Sequence, residues 1–175
     1  MSRVALDSNV LVYLAGAYFV PADIDKVAKV QALVEVLKRT ASLVVPVQAL
    51  GELFVVLRRG KIPAEEARAT VLQFSRSFGE APSLPQTMAA ALDLVIDHRL
   101  QLWDSLILSA AIEAGCTILL SEDMQHGFVR GGLTIVNPLA ETPHPQLARL
   151  RVRRFGQRIH DGETPSDETV LHILG

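Results

Sequence analysis

The chain changes its pattern within its first dozen residues. RVAL (3–6) is a short apolar run of the kind that forms a buried strand. DSNVLVYLAG follows at once and opens with three helix-capping residue types, Asp7, Ser8 and Asn9, so a helix is predicted to begin there. DIDKVAKVQALVEVLKRT (23–40) sets Val27, Val30, Val34 and Leu37 at helical spacing with charges opposite. SLVVP (42–46) is a second short strand, closed by Pro46. VQALGELFVVLRRG (47–60) reads as a helix stopping at Gly60, with Arg58 and Arg59 in its last turn. PAEEARATVLQFSRSF (63–78) begins with Pro63 and two glutamates, as helix N-termini do, and APSLP is a linker or very short strand. Two more helices span 86–100 and 103–115, the second stopped by Gly115. CTILL (116–120) and LTIVN (133–137) read as buried strands, the latter closed by Pro138.

Short all-apolar strands alternating with helices predict an α/β fold: a mostly parallel sheet with helices on both faces. The character changes past residue 140. PHPQLARLRVRRFGQRIH carries no acid before Asp161, and TPSD (164–167) has the form of a capping box with Pro165 at the first helical position, predicting a short C-terminal helix. The expected organisation is therefore a main domain over 1–140 and a basic extension over 141–175.

Composition narrows the class. A chain of 175 residues, 49% hydrophobic and 21% charged, has enough apolar material for a packed core and too much for disorder. No apolar run approaches the roughly 20 residues of a membrane helix, and Arg3 and Asp7 interrupt the stretch where a secretory leader would be apolar. The single cysteine, Cys116, permits no internal disulfide and reads as a small core residue. The expectation is a cytoplasmic protein without a membrane segment. A net charge of −2 argues against a surface coated in positive charge and leaves room for local basic patches.

In open α/β sheets, ligands bind beyond the carboxyl ends of the strands. Asp7 follows the first strand directly, and Asp123 follows CTILL by way of Ser121 and Glu122. Glu52 lies on the helix after the second strand, beside Gly51, and Asp104 lies in the first turn of WDSLILSAA. Each has a plainer reading: Asp7 and Asp104 as N-caps, Glu52 as an exposed helix residue, Asp123 as a loop acid. Four separate segments delivering carboxylates to one sheet edge favour a shared pocket. Such charges repel and raise one another's pKa, and a hard divalent cation, Mg²⁺ or Mn²⁺, relieves that repulsion. Zinc spacing, a phosphate-binding glycine loop and a nucleophile triad around Ser8 are all missing from the sequence. His98 and His126 read as surface-loop histidines, and Trp103 and Phe54 as core.

The ordered set LDSN … GELF … LWDSLILSAA … LLSEDMQHGF … IVNP resembles PIN-domain nucleases over residues 1 to about 140, and in particular the VapC-type ribonuclease toxins of toxin–antitoxin pairs. The resemblance implies a PIN-like three-layer fold and a metal-dependent endoribonuclease that hydrolyses RNA phosphodiester bonds. Carried over by position, Asp7, Glu52, Asp104 and Asp123 form the acidic metal site. Asp7 and Asp104 would be inner ligands, and Asp123 and Glu52 would hold a second ion or bound waters. Asn9 and Ser121 are polar supports, with Glu122 beside them. It also implies a homodimer and a small antitoxin partner. The cations that phosphate contacts require are offered by Arg58, Arg59 and Lys61, and by the tail cluster Arg149, Arg151, Arg153, Arg154 and Arg158. Two other readings stay open. One is a catalytically inactive RNA-binding PIN domain. The other is an acidic-pocket phosphoacceptor, which expects paired acids after the first strand and a lysine after a late one; here there is one acid, and Pro138 follows LTIVN.

Overall fold

Strand β1 (Ser2–Leu6) occupies the middle of a six-stranded sheet because its residues from Val4 to Leu6 are apolar without interruption and are fully buried. The computed structural model describes residues 1–17 and 23–151. Along the chain β1 is followed by α1 (Ser8–Leu14), α2 (Ile24–Thr40), β2 (Ala41–Pro46), α3 (Val47–Arg59), α4 (Ala64–Ser77), β3 (Gly79–Ala81), α5 (Pro85–His98), α6 (Leu102–Glu113), β4 (Ile118–Leu120), β5 (Val129–Arg130) and β6 (Leu133–Val136). The sheet order is β3-β2-β1-β4-β6-β5, parallel throughout except where β5 runs antiparallel to β6.

The chain therefore leaves β1 toward β2 and β3 on one side, and later returns to lay β4 and β6 on the other. That reversal opens a crevice at the carboxyl ends of β1 and β4, the place where a parallel sheet offers a ligand site. Two backbone bonds fix the crevice floor: Asp7 N–H donates to the Leu120 carbonyl at 3.0 Å, and Ser121 N–H donates to the Val136 carbonyl at 3.1 Å. Consecutive buried residues in β1, β2, β4 and β6 show that both sheet faces are covered. Each large aliphatic side chain removed from water there contributes roughly 1.5–3 kcal/mol before conformational entropy is counted.

Among the described residues the predicted strands and helices are present, with ends shifted by a few residues. APSLP (81–85) runs from Ala81, the last residue of β3, through three coil residues to Pro85, the first of α5. The two-residue strand β5 escaped the sequence reading because it is exposed and too short to carry an alternation; it is the arm entering a turn through Gly131 and Gly132, both at positive φ, from which β6 returns. Residues 145–151 are helical, and Leu147 and Leu150 are buried in the core. Arg153, Arg154, Arg158 and the helix predicted after TPSD lie outside the described residues. Cys116 is buried, and burial pushes its thiol up to about 11. Among the described residues no helix is long and apolar enough to cross a membrane.

Candidate active site

Asp7 is both a helix cap and a carboxylate facing the crevice. It is the N-cap of α1, with Oδ1 accepting from Ser8 N–H at 2.6 Å. Its other oxygen, Oδ2, faces the crevice and accepts from Asn9 Nδ2 at 2.9 Å and from Ser121 Oγ at 2.7 Å. The same two donors reach Asp123: Asn9 Nδ2 lies 2.6 Å and Ser121 Oγ 2.9 Å from Asp123 Oδ1. Asn9 and Ser121 thus bridge a carboxylate at the end of β1 to one just past β4. Ser121 is itself fixed by Met124 N–H, which donates to its Oγ at 3.2 Å.

Asp7 is only 3% exposed. Burial, assisted by the negative charges of Asp123 and Glu52, pushes its pKa up to about 7 against the lowering effect of the Ser121 and Ser8 hydrogen bonds. Asp104 stands at the third position of α6, where Gln101 is the N-cap, so it is not a capping residue. Its carboxyl is also raised above the usual range, first by burial and then by the charges of Asp123 and Glu52. The four carboxylates expected from the sequence therefore act on one electrostatic neighbourhood. Among the described residues none of them forms an ion pair with lysine, arginine or histidine.

Glu122 differs. Its side chain turns out of the crevice, where Oε1 accepts from Lys26 Nζ at 2.6 Å and Oε2 accepts from the Tyr13 hydroxyl. Burial would raise its pKa, but those two hydrogen bonds and the Lys26 charge outweigh it and hold the carboxyl below its ordinary value. Burial and the adjacent Glu122 carboxylate push Tyr13 up to about 12. Glu122 contributes to the site through its backbone: its N–H donates to Asn9 Oδ1 at 3.3 Å, which turns the Asn9 amide hydrogens toward Asp7 and Asp123. Asn137 Nδ2 holds the Glu122 carbonyl at 3.3 Å from the other side. Tyr13 and Lys26 carried no sequence signal, because each acts through a partner distant in the chain; Asn137 stands in the IVNP motif, which assigned it no role.

Other expectations are corrected. Trp103 is 54% exposed and Phe54 is 36% exposed, so neither belongs to the core. Trp103 opens α6 at the lip of the crevice, before the helix enters the wholly buried stretch from Ser105 to Ala111. His98 is exposed but ends α5 rather than lying in a loop. Exposed His126 accepts from Asn137 N–H through Nδ1 at 2.9 Å, which braces the loop after β4. Arg58 is committed to the carbonyl of Ile62, Arg59 lines a groove beside Glu52, and Lys61 is exposed at a left-handed turn.

The donor set is all oxygen and negatively charged, which suits a hard divalent cation and not zinc. Among the described residues no three acidic, histidine or cysteine side chains stand close enough to make a closed ligand cluster. Magnesium does not require one, because it binds through one or two carboxylates and retains waters.

The PIN domain family model matches residues 4–130. No curated protein matches the chain in sequence. Among solved structures, the fold is similar to VapBC2 from Rickettsia felis bound to a DNA fragment from its promoter, with a TM-score of 0.57 and 16% identity over 76% of this chain and 96% of that one. It is similar to Mycobacterium tuberculosis VapC20, a sarcin-ricin loop cleaving toxin, with a TM-score of 0.54 and 13% identity over 69% and 91%. A toxin–antitoxin complex from Klebsiella pneumoniae gives 0.55 and 15% identity over 77% and 97%. The chain belongs to the PIN domain family, a family of nuclease folds.

Proposed function

We propose that this chain is a divalent-metal-dependent endoribonuclease and the toxin of a toxin–antitoxin pair. The observation that carries the reading is Asp7: a carboxylate buried at a sheet switch point, hydrogen-bonded in common with Asp123, with no cation of the described residues to neutralise it. A structural N-cap needs no second carboxylate bridged to it. Asp7 and Asp104 would hold Mg²⁺ or Mn²⁺, with Asp123 and Glu52 binding a second ion or metal-bound waters. When bound, such an ion lowers the pKa of a coordinated water and offsets charge developing on the phosphoryl oxygens. The chain's own part is orientation. Asn9 and Ser121 hold two carboxylates at fixed separation, and Glu122 holds Asn9 through a main-chain bond.

RNA as substrate is supported by the family and by the printed description of one similar structure as a sarcin-ricin loop cleaving toxin. An antitoxin partner is supported by the similar structures that are toxin–antitoxin complexes. Self-association is supported by α5 and its N-cap, which expose Leu84, Met88, Leu92 and Ile96 at intervals of four. These positions are symmetric about residue 90, so a second copy packed antiparallel would set Leu84 against Ile96 and Met88 against Leu92. That self-complementarity is what a two-fold interface requires. The inactive RNA-binding reading and the phosphoacceptor reading both lack a supporting observation, since the acidic set is complete and only Asp7 follows β1.

The test is incubation of purified protein with structured RNAs in Mg²⁺, Mn²⁺ or chelator. Cleavage that needs the metal and is lost in Asp7→Asn is the expected result. Equal cleavage by wild type and Asp7→Asn would defeat the assignment, and growth arrest relieved by the same substitution would separate a toxin from a mere RNA binder.

A further inference from the structure

Beside the acidic crevice lies a groove of about 390 Å³ lined by Gln48, Gly51, Glu52, Val55, Arg59 and Trp103. Four of these side chains, Gln48, Glu52, Val55 and Arg59, fall on one stripe of α3 at i, i+4, i+7 and i+11. Trp103, on the first turn of α6, forms the opposite wall next to Asp104. The groove therefore includes Glu52, one of the candidate metal-site carboxylates, one turn along α3 from Gln48. Arg59 is seven residues further along the helix, or ~10 Å by helical rise. Among the described residues Arg59 makes no ion pair.

Two features of this groove lack a structural explanation. An indole more than half exposed on an apolar wall forfeits much of the burial such a ring would otherwise gain. Gly51, in the interior of α3, costs roughly 1 kcal/mol relative to alanine, yet a Cβ there would meet no atom within 4 Å. No neighbouring backbone needs the room it leaves.

We infer that the groove is a nucleobase-stacking subsite, in which an unpaired base of the substrate RNA lies on Trp103 while Arg59 holds a flanking phosphate. The inference rests on the ribonuclease reading above. An aromatic face accepts any base, a nearby guanidinium supplies the phosphate contact, and an apolar floor excludes water from the stack. Gly51 keeps the floor low enough for a planar ring to enter. Continuity with Glu52 and Asp104 means that a strand seated there passes directly into the acidic crevice. The cleaved nucleotide would thus be unpaired, or splayed from its neighbour, and paired RNA would be a poor substrate.

The chain has one tryptophan, so its fluorescence reports this groove and nothing else. Full-length Asp7→Asn protein, titrated in Mg²⁺ with a single-stranded oligoribonucleotide, is expected to show saturable quenching. An oligomer of equal length and charge carrying abasic positions should quench far less. Trp103→Ala should weaken binding about 5- to 150-fold, the effect of losing one base stack, while Trp103→Phe keeps most of the affinity. Gly51→Leu should weaken binding without lowering the melting temperature, because the added side chain enters open space; it serves as the second variant if Trp103→Ala folds poorly. RNA binding with unchanged emission, or wild-type kcat/KM for cleavage in both Trp103→Ala and Gly51→Leu, overturns the inference and leaves the ribonuclease reading standing. A groove that serves a polypeptide partner instead would give this result. A wild-type protein that neither binds nor cleaves RNA overturns both.

Discussion

Ser121 Oγ lies 2.7 Å from Asp7 Oδ2, although the two residues are 114 positions apart in the chain. The same oxygen is 2.9 Å from Asp123 Oδ1. A serine hydroxyl carries one hydrogen, so it donates to one of these carboxylates at a time. Asn9 supplies one hydrogen to each, and the bridge is still one short unless a carboxyl is protonated. Burial, with the charges of Asp123 and Glu52, raises the Asp7 pKa to about 7 and so favours a proton on this carboxyl when no cation is bound.

Removing the bridge tests its structural part. Ser121→Ala leaves Asp7 with one fewer donor and frees the Met124 N–H that Ser121 accepts. The expected loss is about 1–2 kcal/mol, or ~2–8 °C in a domain of this size. Nuclease activity should fall about 10- to 100-fold through the misplaced carboxylates. Thermal melting and RNA cleavage on the same preparation check both.

Asp7→Asn separates function from stability. Asparagine caps a helix as well as aspartate does, and it removes a buried charge that Asp123 and Glu52 oppose. The metal-free variant should melt at or above the wild-type temperature, by up to ~6 °C, while cleavage falls at least ~100-fold. A residue important only as a cap would leave activity intact.

The pH dependence follows from sign. A carboxyl raised from its ordinary value of 3.8 to about 7 binds its proton more tightly in the folded state. Its stabilising contribution is complete below the unfolded pKa and is lost as pH rises through the folded one. Metal-free wild type should therefore lose melting temperature relative to Asp7→Asn between about pH 4 and about pH 7. Saturating Mg²⁺ should narrow that gap, since the cation replaces the proton. Melting curves across that range, with and without Mg²⁺, give the answer.

Glu122 separates an acid that positions from acids that ligate. It is paired with Lys26 and Tyr13, and its contribution to Asn9 is made through main-chain N–H. Glu122→Gln should reduce cleavage less than about 10-fold, against at least ~100-fold for Asp104→Asn, consistent with a supporting and not a liganding role. Its lowered pKa also gives the opposite pH trend: this pair's contribution is present above the unfolded pKa and fades as pH falls through the folded one. Parallel kcat measurements on the two variants decide the point.

Much of this site was legible because its residues sit where the chain leaves a strand. Asp7 follows β1 without a gap, Asp123 follows β4 after two residues, and an apolar strand flanked by such residues reads directly from sequence. Trp103 did not, because α6 is buried on nearly every side and shows no polar face against which an exposed residue could be recognised. Its exposure comes from lying in the helix's first turn, ahead of the buried stretch that begins at Ser105. Tyr13 and Lys26 stayed hidden for a different reason. Their partner Glu122 is about a hundred residues away, and only folding brings α1 and α2 against the loop after β4.

The most direct measurement is Mn²⁺ binding by calorimetry to wild type and Asp7→Asn near pH 7, with no RNA present. The account predicts saturable binding to wild type that tightens as pH rises through about 7, releases protons, and is lost or weakened at least ~10-fold in the variant. Binding of equal affinity and stoichiometry in both proteins, or none in wild type at millimolar Mn²⁺, would contradict it.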